Sequence, residues 1–258
     1  MLNFRALGTL EARFGEEPLD IGWQRQREVL GVLLLQANRA VTVNDLIEAV
    51  WHDRPPKSAL SNIHKYVCGL RQCIADGTDG RAPRLVTRHR GYELRLAEPE
   101  LDVLQFEQLA TQGRQARAVH HLRRAGQLLA DALRLWRGEV LEDLELGGRV
   151  AARIAALTEV RACLFAELVD IRLRLGEHDT VLAELRSETV TNPFRERTWE
   201  QLIVALYAAD RRAEALTAFT QLRRALAEGL GIEPGARLQR LHRAVLADDA
   251  SEVKRHVA

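Results

Sequence analysis

The segment from Trp51 to Leu96 constrains the fold of this chain more than any other part of the sequence. A proline pair after Trp51, Pro55-Pro56, can end one helix and precede the first turn of another. From 58 to 75, apolar side chains recur at steps of three and four, which is the period of an amphipathic helix. The predicted apolar stripe consists of Leu60, Ile63, Val67, Leu70 and Ile74.

The face of this helix opposite the stripe carries hydrogen-bonding groups and one cation but no acid. After a turn, two short β-patterned runs, 84–87 and 92–96, flank the basic tip Arg88-His89-Arg90-Gly91, which predicts a hairpin. A polar-faced helix followed by an arginine-tipped hairpin is the plan of a winged helix. In such a fold the helix meets base edges, and the wing meets phosphates or the minor groove.

These two elements supply the predicted DNA contacts, since an exposed polar helix face can enter the major groove and nearby cations can meet the backbone. The predicted base contacts are Ser58, Ser61, Asn62, Lys65 and Gln72. The predicted backbone or minor-groove contacts are Lys57, Arg71, Arg88, His89 and Arg90.

Positive charge is concentrated in this segment rather than spread over the chain. The formal net charge is only +1, yet Arg54 to Arg95 contains nine Lys or Arg and three acids. Because phosphates are neutralised by local cations, this concentration favours nucleic-acid binding.

The residues before Trp51 complete the predicted domain. Loosely alternating residues between Phe4 and Ile21 predict three short antiparallel strands. A helix from Trp23 to Asn38 and a short one from Asp45 to Trp51, capped by the preceding threonine, then predict a helix-turn-helix.

Several runs in this part of the chain carry a resemblance to a known family, namely Arg27–Leu35, Val41–Trp51, Pro55–Ala59, Tyr66–Arg71 and Leu85–Leu94. They resemble the OmpR-type winged helix of the Streptomyces antibiotic regulatory protein (SARP) family. The family commonly has Ser-Arg before Leu-Arg in the recognition helix, where this chain has Cys68-Gly69. A cation expected on the DNA side is therefore missing.

From Glu98-Pro99 onward the composition changes and helical patterns replace strand patterns. We predict a nearly continuous helix from Leu101 to Leu135, broken softly at Gly113 and Gly126. The last hundred residues repeat at about 34 positions, the spacing of a tetratricopeptide motif, which buries its apolar face only against neighbouring repeats. The repeat positions are Phe165, Leu168, Leu185, Trp199, Leu202, Ala215 and Phe219.

The runs Asn192–Arg197, Ala205–Tyr207 and Leu230–Gly235 resemble the bacterial transcriptional activator domain that follows the winged helix in the SARP family. The predicted fold is therefore α+β over 1–96, a strand-first OmpR-type winged helix. An all-α tetratricopeptide-like domain over 98–247 and a tail over 248–258 follow it.

The resemblance implies an activator of transcription, usually specific to the pathway of a secondary-metabolite (antibiotic) gene cluster. It implies a homodimer that binds direct repeats head to tail in double-stranded promoter DNA and recruits RNA polymerase holoenzyme. The sequence predicts no cofactor, no metal site and no membrane span. Three cysteines without a CxxC motif, and the lack of a signal-peptide pattern, lead us to expect a cytoplasmic protein.

Two other classes of function stay open at this point. A helical-repeat adaptor could use its winged helix for protein contacts, although the basic wing argues against this. An enzyme is disfavoured because the sequence has no glycine-rich phosphate loop, no GxSxG and no HExxH motif. His64, Cys68 and Cys73 could bind a metal, but we interpret them as helix-packing or surface residues.

Overall fold

The computed structural model describes residues 2–76 and 84–256. The chain opens with an antiparallel sheet of order β1-β2-β3, in which Phe4 pairs with Ala12. Both of these side chains are buried, so one face of the sheet covers the core. The predicted strands are confirmed as β1 (Leu2–Arg5), β2 (Glu11–Phe14) and β3 (Glu17–Pro18).

Three helices and a hairpin follow, and a second sheet of order β4-β6-β5 holds the wing against the helices. This is the predicted strand-first winged helix. The predicted turn after α3 lies largely outside the described residues. The elements are α1 (Gln24–Leu35), β4 (Val41–Thr42), α2 (Val43–Trp51), α3 (Ala59–Asp76), β5 (Leu85–Arg88) and β6 (Gly91–Leu94).

The buried apolar stripe of α3 begins at Ala59, one residue before Leu60, where it was predicted to begin. Ile63, Val67, Leu70 and Ile74 are buried as predicted, whereas Leu60 is 53% exposed. Ala59 takes the buried position in the first turn because it lies four residues before Ile63, on the same face of the helix. The prediction for Leu60 is therefore wrong.

The rest of the described chain is mostly helical, as predicted. A short 3-10 helix (Glu98–Glu100) leads into α4. The remaining elements are α4 (Asp102–Ala118), α5 (Leu122–Arg134), α6 (Gly148–Arg174), α7 (His178–Thr191), α8 (Glu196–Ala208), α9 (Arg212–Leu230), α10 (Ala236–Ala247) and α11 (Ala250–Lys254).

The predicted breaks at Gly113 and Gly126 are wrong, since both glycines lie inside helices. A Cβ at Gly113 would come within 3.0 Å of Leu129 Cγ, so the lack of a side chain at this position lets α5 pack closely against α4. The chain instead turns at His120, whose φ is +60°. Close helix packing therefore accounts for Gly113, which the sequence pattern alone presents as a breaker.

The described chain forms two compact units, the first made of Met1–Gln112 with Ala130–Ala162 and the second of Gly113–Leu129 with Cys163–Ala258. Inside the first unit, residues beyond 98 satisfy backbone groups of the winged helix. Asp102 accepts hydrogen bonds from the backbone N–H of Ala6 (2.9 Å) and Leu7 (3.0 Å). Asp143 accepts one from Leu10 N–H (2.7 Å). The predicted boundary near 97 remains a prediction about domains, and these contacts cross it.

The second unit has its core at the predicted repeat positions. Trp199 is 6% exposed, and its indole N–H donates to the Pro193 carbonyl oxygen at 2.9 Å. Phe165 is partly buried against the same core. The remaining repeat positions, all buried, are Leu168, Leu185, Leu202, Ala215 and Phe219.

A cluster of ion pairs around the buried Glu200 holds the last described residues against the rest of the second unit. Glu200 is 3% exposed, and its carboxylate accepts from Arg197 Nη1 (2.8 Å) and Arg237 Nε (2.5 Å). Nδ1 of His256 lies 2.5 Å from Glu200 Oε1, and both arginines also donate to the His256 carbonyl oxygen. Nη2 of Arg197 donates to both carboxylate oxygens of Asp170, each at 2.7 Å. Two arginines and two carboxylates thus pair around the buried Glu200 and His256, while Arg237 and Arg197 remain partly exposed to solvent.

None of the helices in the described ranges has the length and apolar character needed to cross a membrane.

Candidate nucleic-acid interface

The exposed face of α3 is polar. Ser61, Lys65 and Gln72 are exposed on it, while Asn62 is half-buried at its edge. Lys57 and Ser58, just before the helix, are exposed as well. The predicted base contacts therefore lie along one side of α3 and at its start.

Local hydrogen bonds order the start of this face. The Ser61 hydroxyl donates to the Ser58 carbonyl oxygen at 2.9 Å, and the Asn62 amide donates to the Ser58 hydroxyl at 3.2 Å. Within residues 2–76 and 84–256, the side chains of Lys65 and Gln72 have no such partner. These two side chains are thus the ones whose polar groups are fully available to a bound molecule.

Gly69 allows α1 to approach α3 closely. The Gln26 side chain donates to the Ile21 carbonyl oxygen (2.7 Å) and lies over Gly69, where a Cβ would stand 2.7 Å from its amide oxygen. The space that a longer side chain would occupy at residue 69 is therefore taken by Gln26. The contact with Gln26 therefore explains why a glycine occupies position 69.

Arg71 connects α3 to the wing. Its Nε donates to the Leu85 carbonyl oxygen (3.0 Å) and its Nη2 to the Thr87 hydroxyl (2.8 Å). Its guanidinium also lies 5.7 Å from the centre of the Tyr92 ring, within the range of a cation–π contact. Arg71 thereby fixes the wing relative to the helix, a role that was not predicted for it.

Arg88 is paired within the wing. Its guanidinium forms an ion pair with Glu93, and Arg95 donates to the other carboxylate oxygen of Glu93 at 3.1 Å. The hydrogen bond from Arg88, with that from Arg95, lowers the pKa of the Glu93 carboxyl against the opposing effect of desolvation. The pair holds the Arg88 side chain along the hairpin.

The tip of the wing presents His89 and Arg90, whose side chains are exposed and make no hydrogen bond or ion pair with the described part of the chain. Lys57, in the turn before α3, is likewise exposed and has no such partner there. After the tip, β6 pairs with β4, and only a glycine fits at position 91 because a Cβ there would clash with the Val41 carbonyl oxygen. The glycine thus brings Arg90 next to the start of α2, where the Val43 N–H donates to the Arg90 carbonyl oxygen.

His64, Cys68 and Leu60 are also exposed on α3, and none of them was among the predicted contacts. All three lie on the flank next to Arg71. The spacing of the apolar residues would have indicated this flank if the stripe had been started at Ala59, which is buried, and not at Leu60, which is exposed.

In the described ranges, no group of three or more His, Cys, Asp or Glu side chains is arranged to hold a metal ion.

Two family models match the chain. The model of the C-terminal domain of transcriptional regulatory proteins matches residues 22–94, and that of the bacterial transcriptional activator domain matches residues 101–246. The two matches follow one another along the chain, and residues 1–21 lie outside both.

Curated relatives match over nearly the whole chain. The transcriptional regulatory protein EmbR of Mycobacterium tuberculosis is 35% identical over 256 residues, which cover 98% of this chain and 66% of EmbR. The chain thus spans just under two thirds of that relative. The regulatory protein DnrI of Streptomyces peucetius is 35% identical over 253 residues, covering 96% of this chain and 93% of DnrI.

A solved structure has the same fold. The structure of M. tuberculosis EmbR in complex with a low-affinity phosphopeptide superposes with a TM-score of 0.91 at 34% sequence identity. The match covers 99% of this chain and 68% of that one.

Proposed function

Because the chain belongs to the SARP family of transcriptional regulators, we propose that it binds double-stranded promoter DNA through α3 and the wing. The family consists of regulators and not of enzymes, as the sequence predicts. The observation that carries the proposal is the set of exposed cations without partners in the described part of the chain, which lie just before α3, on its exposed face and at the hairpin tip. They are Lys57, Lys65 and Arg90.

The proposed base contacts differ in whether their polar groups already make hydrogen bonds within the protein. Lys65 can donate to guanine O6 and N7, and Gln72 can pair with adenine N6 and N7 in the major groove. Ser58, Ser61 and Asn62 are proposed as further base contacts, reached when their mutual hydrogen bonds rearrange.

The proposed backbone contacts divide in the same way. Lys57, His89 and Arg90 can meet phosphates or a narrow minor groove directly. Arg71 and Arg88, which are already paired, are proposed to act at the DNA backbone while they hold the wing in place.

Replacing Arg90 by alanine is expected to weaken binding to all DNA sequences alike. One lost phosphate contact reduces the slope of log K against log salt by about one unit. The measurement is a gel-retardation titration with upstream DNA at several salt concentrations. Absence of any retardation by the unmodified, folded protein would favour the protein-interaction adaptor instead.

Arg39→Ala is the matched control for Arg90→Ala. Arg39 is an exposed arginine without a side-chain partner in the described ranges. It lies at the base of the wing and not at its tip, because the neighbouring Asn38 bonds to Leu94 and Leu96. An equal loss of affinity in both variants would contradict a specific role for the tip.

We further propose that the protein acts in the cytoplasm as a homodimer on direct repeats and recruits RNA polymerase holoenzyme to a secondary-metabolite gene cluster. The support is the family itself, together with DnrI, which this chain matches over 93% of its length. We assign DNA binding to 1–96, and dimerisation and regulation to 98–247. Run-off transcription with and without the protein tests the recruitment.

A further inference from the structure

The second compact unit contains a cleft with a volume of about 890 Å³. It lies where α6 and α8 end and α7 and α9 begin, and the short helix α11 supplies one wall. Small-molecule pockets in proteins have volumes of about 300–1,000 Å³ and combine an apolar lining with a few polar groups. The size of this cleft therefore suits a small organic molecule.

The cleft has an apolar floor made by three helices. Leu173 of α6, Val204 of α8 and Val253 of α11 line it and are each less than 5% exposed. Ala208 and Ala250 line it with small side chains. An apolar group of a ligand can displace water from this floor without displacing protein atoms.

The charged groups around the floor are not balanced. Asp248 accepts a hydrogen bond from the Tyr207 hydroxyl (2.8 Å) and lies 3.9 Å from Arg212, which also donates to two backbone carbonyl oxygens. Those groups compensate one another. In all, three cations (Arg174, Arg212 and Lys254) and two acids (Asp210 and Asp248) line the cleft, so its lining has a formal charge of +1.

Lys254 is the group best placed to bind a ligand. Its ammonium makes no hydrogen bond or ion pair with the described residues, and it directly follows the buried Val253 on α11. The helix is fixed at both ends. Asp249 caps its first turn by accepting from Ser251 N–H and Glu252 N–H, and His256 contacts Glu200 just after its end.

We propose that this cleft binds a small amphipathic organic anion. Its apolar body packs on Leu173, Val204 and Val253, and its carboxylate, sulfonate or phosphate group pairs with Lys254. His178 also lines the cleft, and its buried Nδ1 has no hydrogen-bond partner among the described residues, so its ring is a second polar side chain in the wall of the cleft. The proposal concerns the helical unit alone and does not depend on DNA binding.

The test uses two fluorescent probes with nearly the same aromatic body, one anionic and one neutral. They are 8-anilinonaphthalene-1-sulfonate and N-phenyl-1-naphthylamine, titrated into the full chain. We expect saturable binding of the sulfonate at one site, and binding of the neutral probe that is roughly tenfold weaker, as for loss of a charge-assisted contact.

Two substitutions locate the site. Ala208→Trp fills the cleft and should abolish saturable sulfonate binding, whereas Ala227→Trp, on the exposed face of α9 outside the cleft, should leave it unchanged. Lys254→Gln should weaken sulfonate binding roughly tenfold and leave the neutral probe unaffected. Arg240→Gln, an exposed cation of α10 outside the cleft, is the matched charge control.

Circular dichroism of each variant shows whether it is folded, and Ala250→Trp replaces Ala208→Trp if that protein is not. Sulfonate binding that survives either tryptophan in a folded protein overturns the cleft as the site. Equal binding of both probes, unchanged by Lys254→Gln, overturns the anionic class of ligand. Neither result depends on whether the protein binds DNA, which gel retardation measures separately.

Discussion

A fragment that ends at residue 97 is expected to unfold at a much lower temperature than a fragment that ends at residue 162. The change of composition at Glu98-Pro99 by itself predicts that 1–97 folds alone, and the contacts across that point change the expectation. Without Asp102 and Asp143, the backbone N–H groups of Ala6, Leu7 and Leu10 lose their acceptors and are exposed to water instead. Each hydrogen bond to a charged acceptor contributes about 1.5–3 kcal/mol net.

The shorter fragment also loses apolar side chains from the core of the first unit. Leu101, Val103, Phe106 and Leu141 are each at most 1% exposed. Full burial of one such side chain stabilises a fold by about 1.5–3 kcal/mol. Because domains are stable by only about 5–15 kcal/mol, the combined loss approaches the whole stability of the fragment.

Thermal melts followed by circular dichroism compare the two fragments. We expect a cooperative transition for 1–162, and for 1–97 either none or one at least roughly 15 °C lower. Asp102→Ala in the full chain, which removes two of the acceptors at once, should lower the melting temperature in the same direction. Equal melting temperatures for the two fragments would show that 1–97 is an independent folding unit after all.

Glu200→Gln is expected to destabilise the second unit by about 1.5–3 kcal/mol, because the buried carboxylate loses its charge-assisted hydrogen bonds while its arginine partners stay partly exposed to water. The substitution keeps the size of the side chain and removes its charge. Arg197, Arg237 and His256 then lose the carboxylate that they share. The melting temperature should fall by roughly 3–12 °C in a chain of this size.

The same carboxyl gives stability a pH dependence of defined sign. Burial alone would raise the pKa of Glu200, but Arg237, His256 and Arg197 outweigh that effect and lower it. The stabilisation is therefore fully present above the unfolded-state pKa of about 4.3 and is lost as pH falls through the lower folded-state pKa. The stability difference between the unmodified protein and Glu200→Gln should shrink over that range.

Glu214→Gln is the matched control for Glu200→Gln. Glu214 also pairs with two arginines, Arg186 and Arg211, and its pKa is lowered by Arg211 first and then by Arg186 against desolvation. It is exposed, however, and exposed ion pairs contribute only about 0–1 kcal/mol. If both variants melt alike, the buried cluster does not stabilise the fold as its geometry indicates.

The order of elements was predictable because each one has its own local signal. The repeated spacing around Ile63 and Leu70 predicts α3, and the β-patterned runs beside Gly91 predict the wing. The repeat around Trp199 correctly predicts the core of the helical part. In each case neighbouring residues alone determine the pattern.

What the sequence did not predict depends on contacts between residues far apart in the chain. In the sequence Gly113 appears to be a helix breaker, whereas in the structure it lies within α4 and Leu129 packs against it. Leu60 lies at a helical spacing from the stripe, and only the packing of the whole domain decides that Ala59 is buried instead. The partners of Arg71 in the wing and of Asp102 in the first sheet likewise arise from tertiary structure.

A binding titration against single-base variants of the bound sequence shows whether α3 distinguishes DNA bases, as we propose. Lys65→Ala should lose about 1–3 kcal/mol of discrimination at one base pair and relax the preference there. Arg90→Ala should weaken binding to every variant alike. An equal loss on every variant for Lys65→Ala, or no loss for either folded protein, would rule out base recognition by Lys65 of α3.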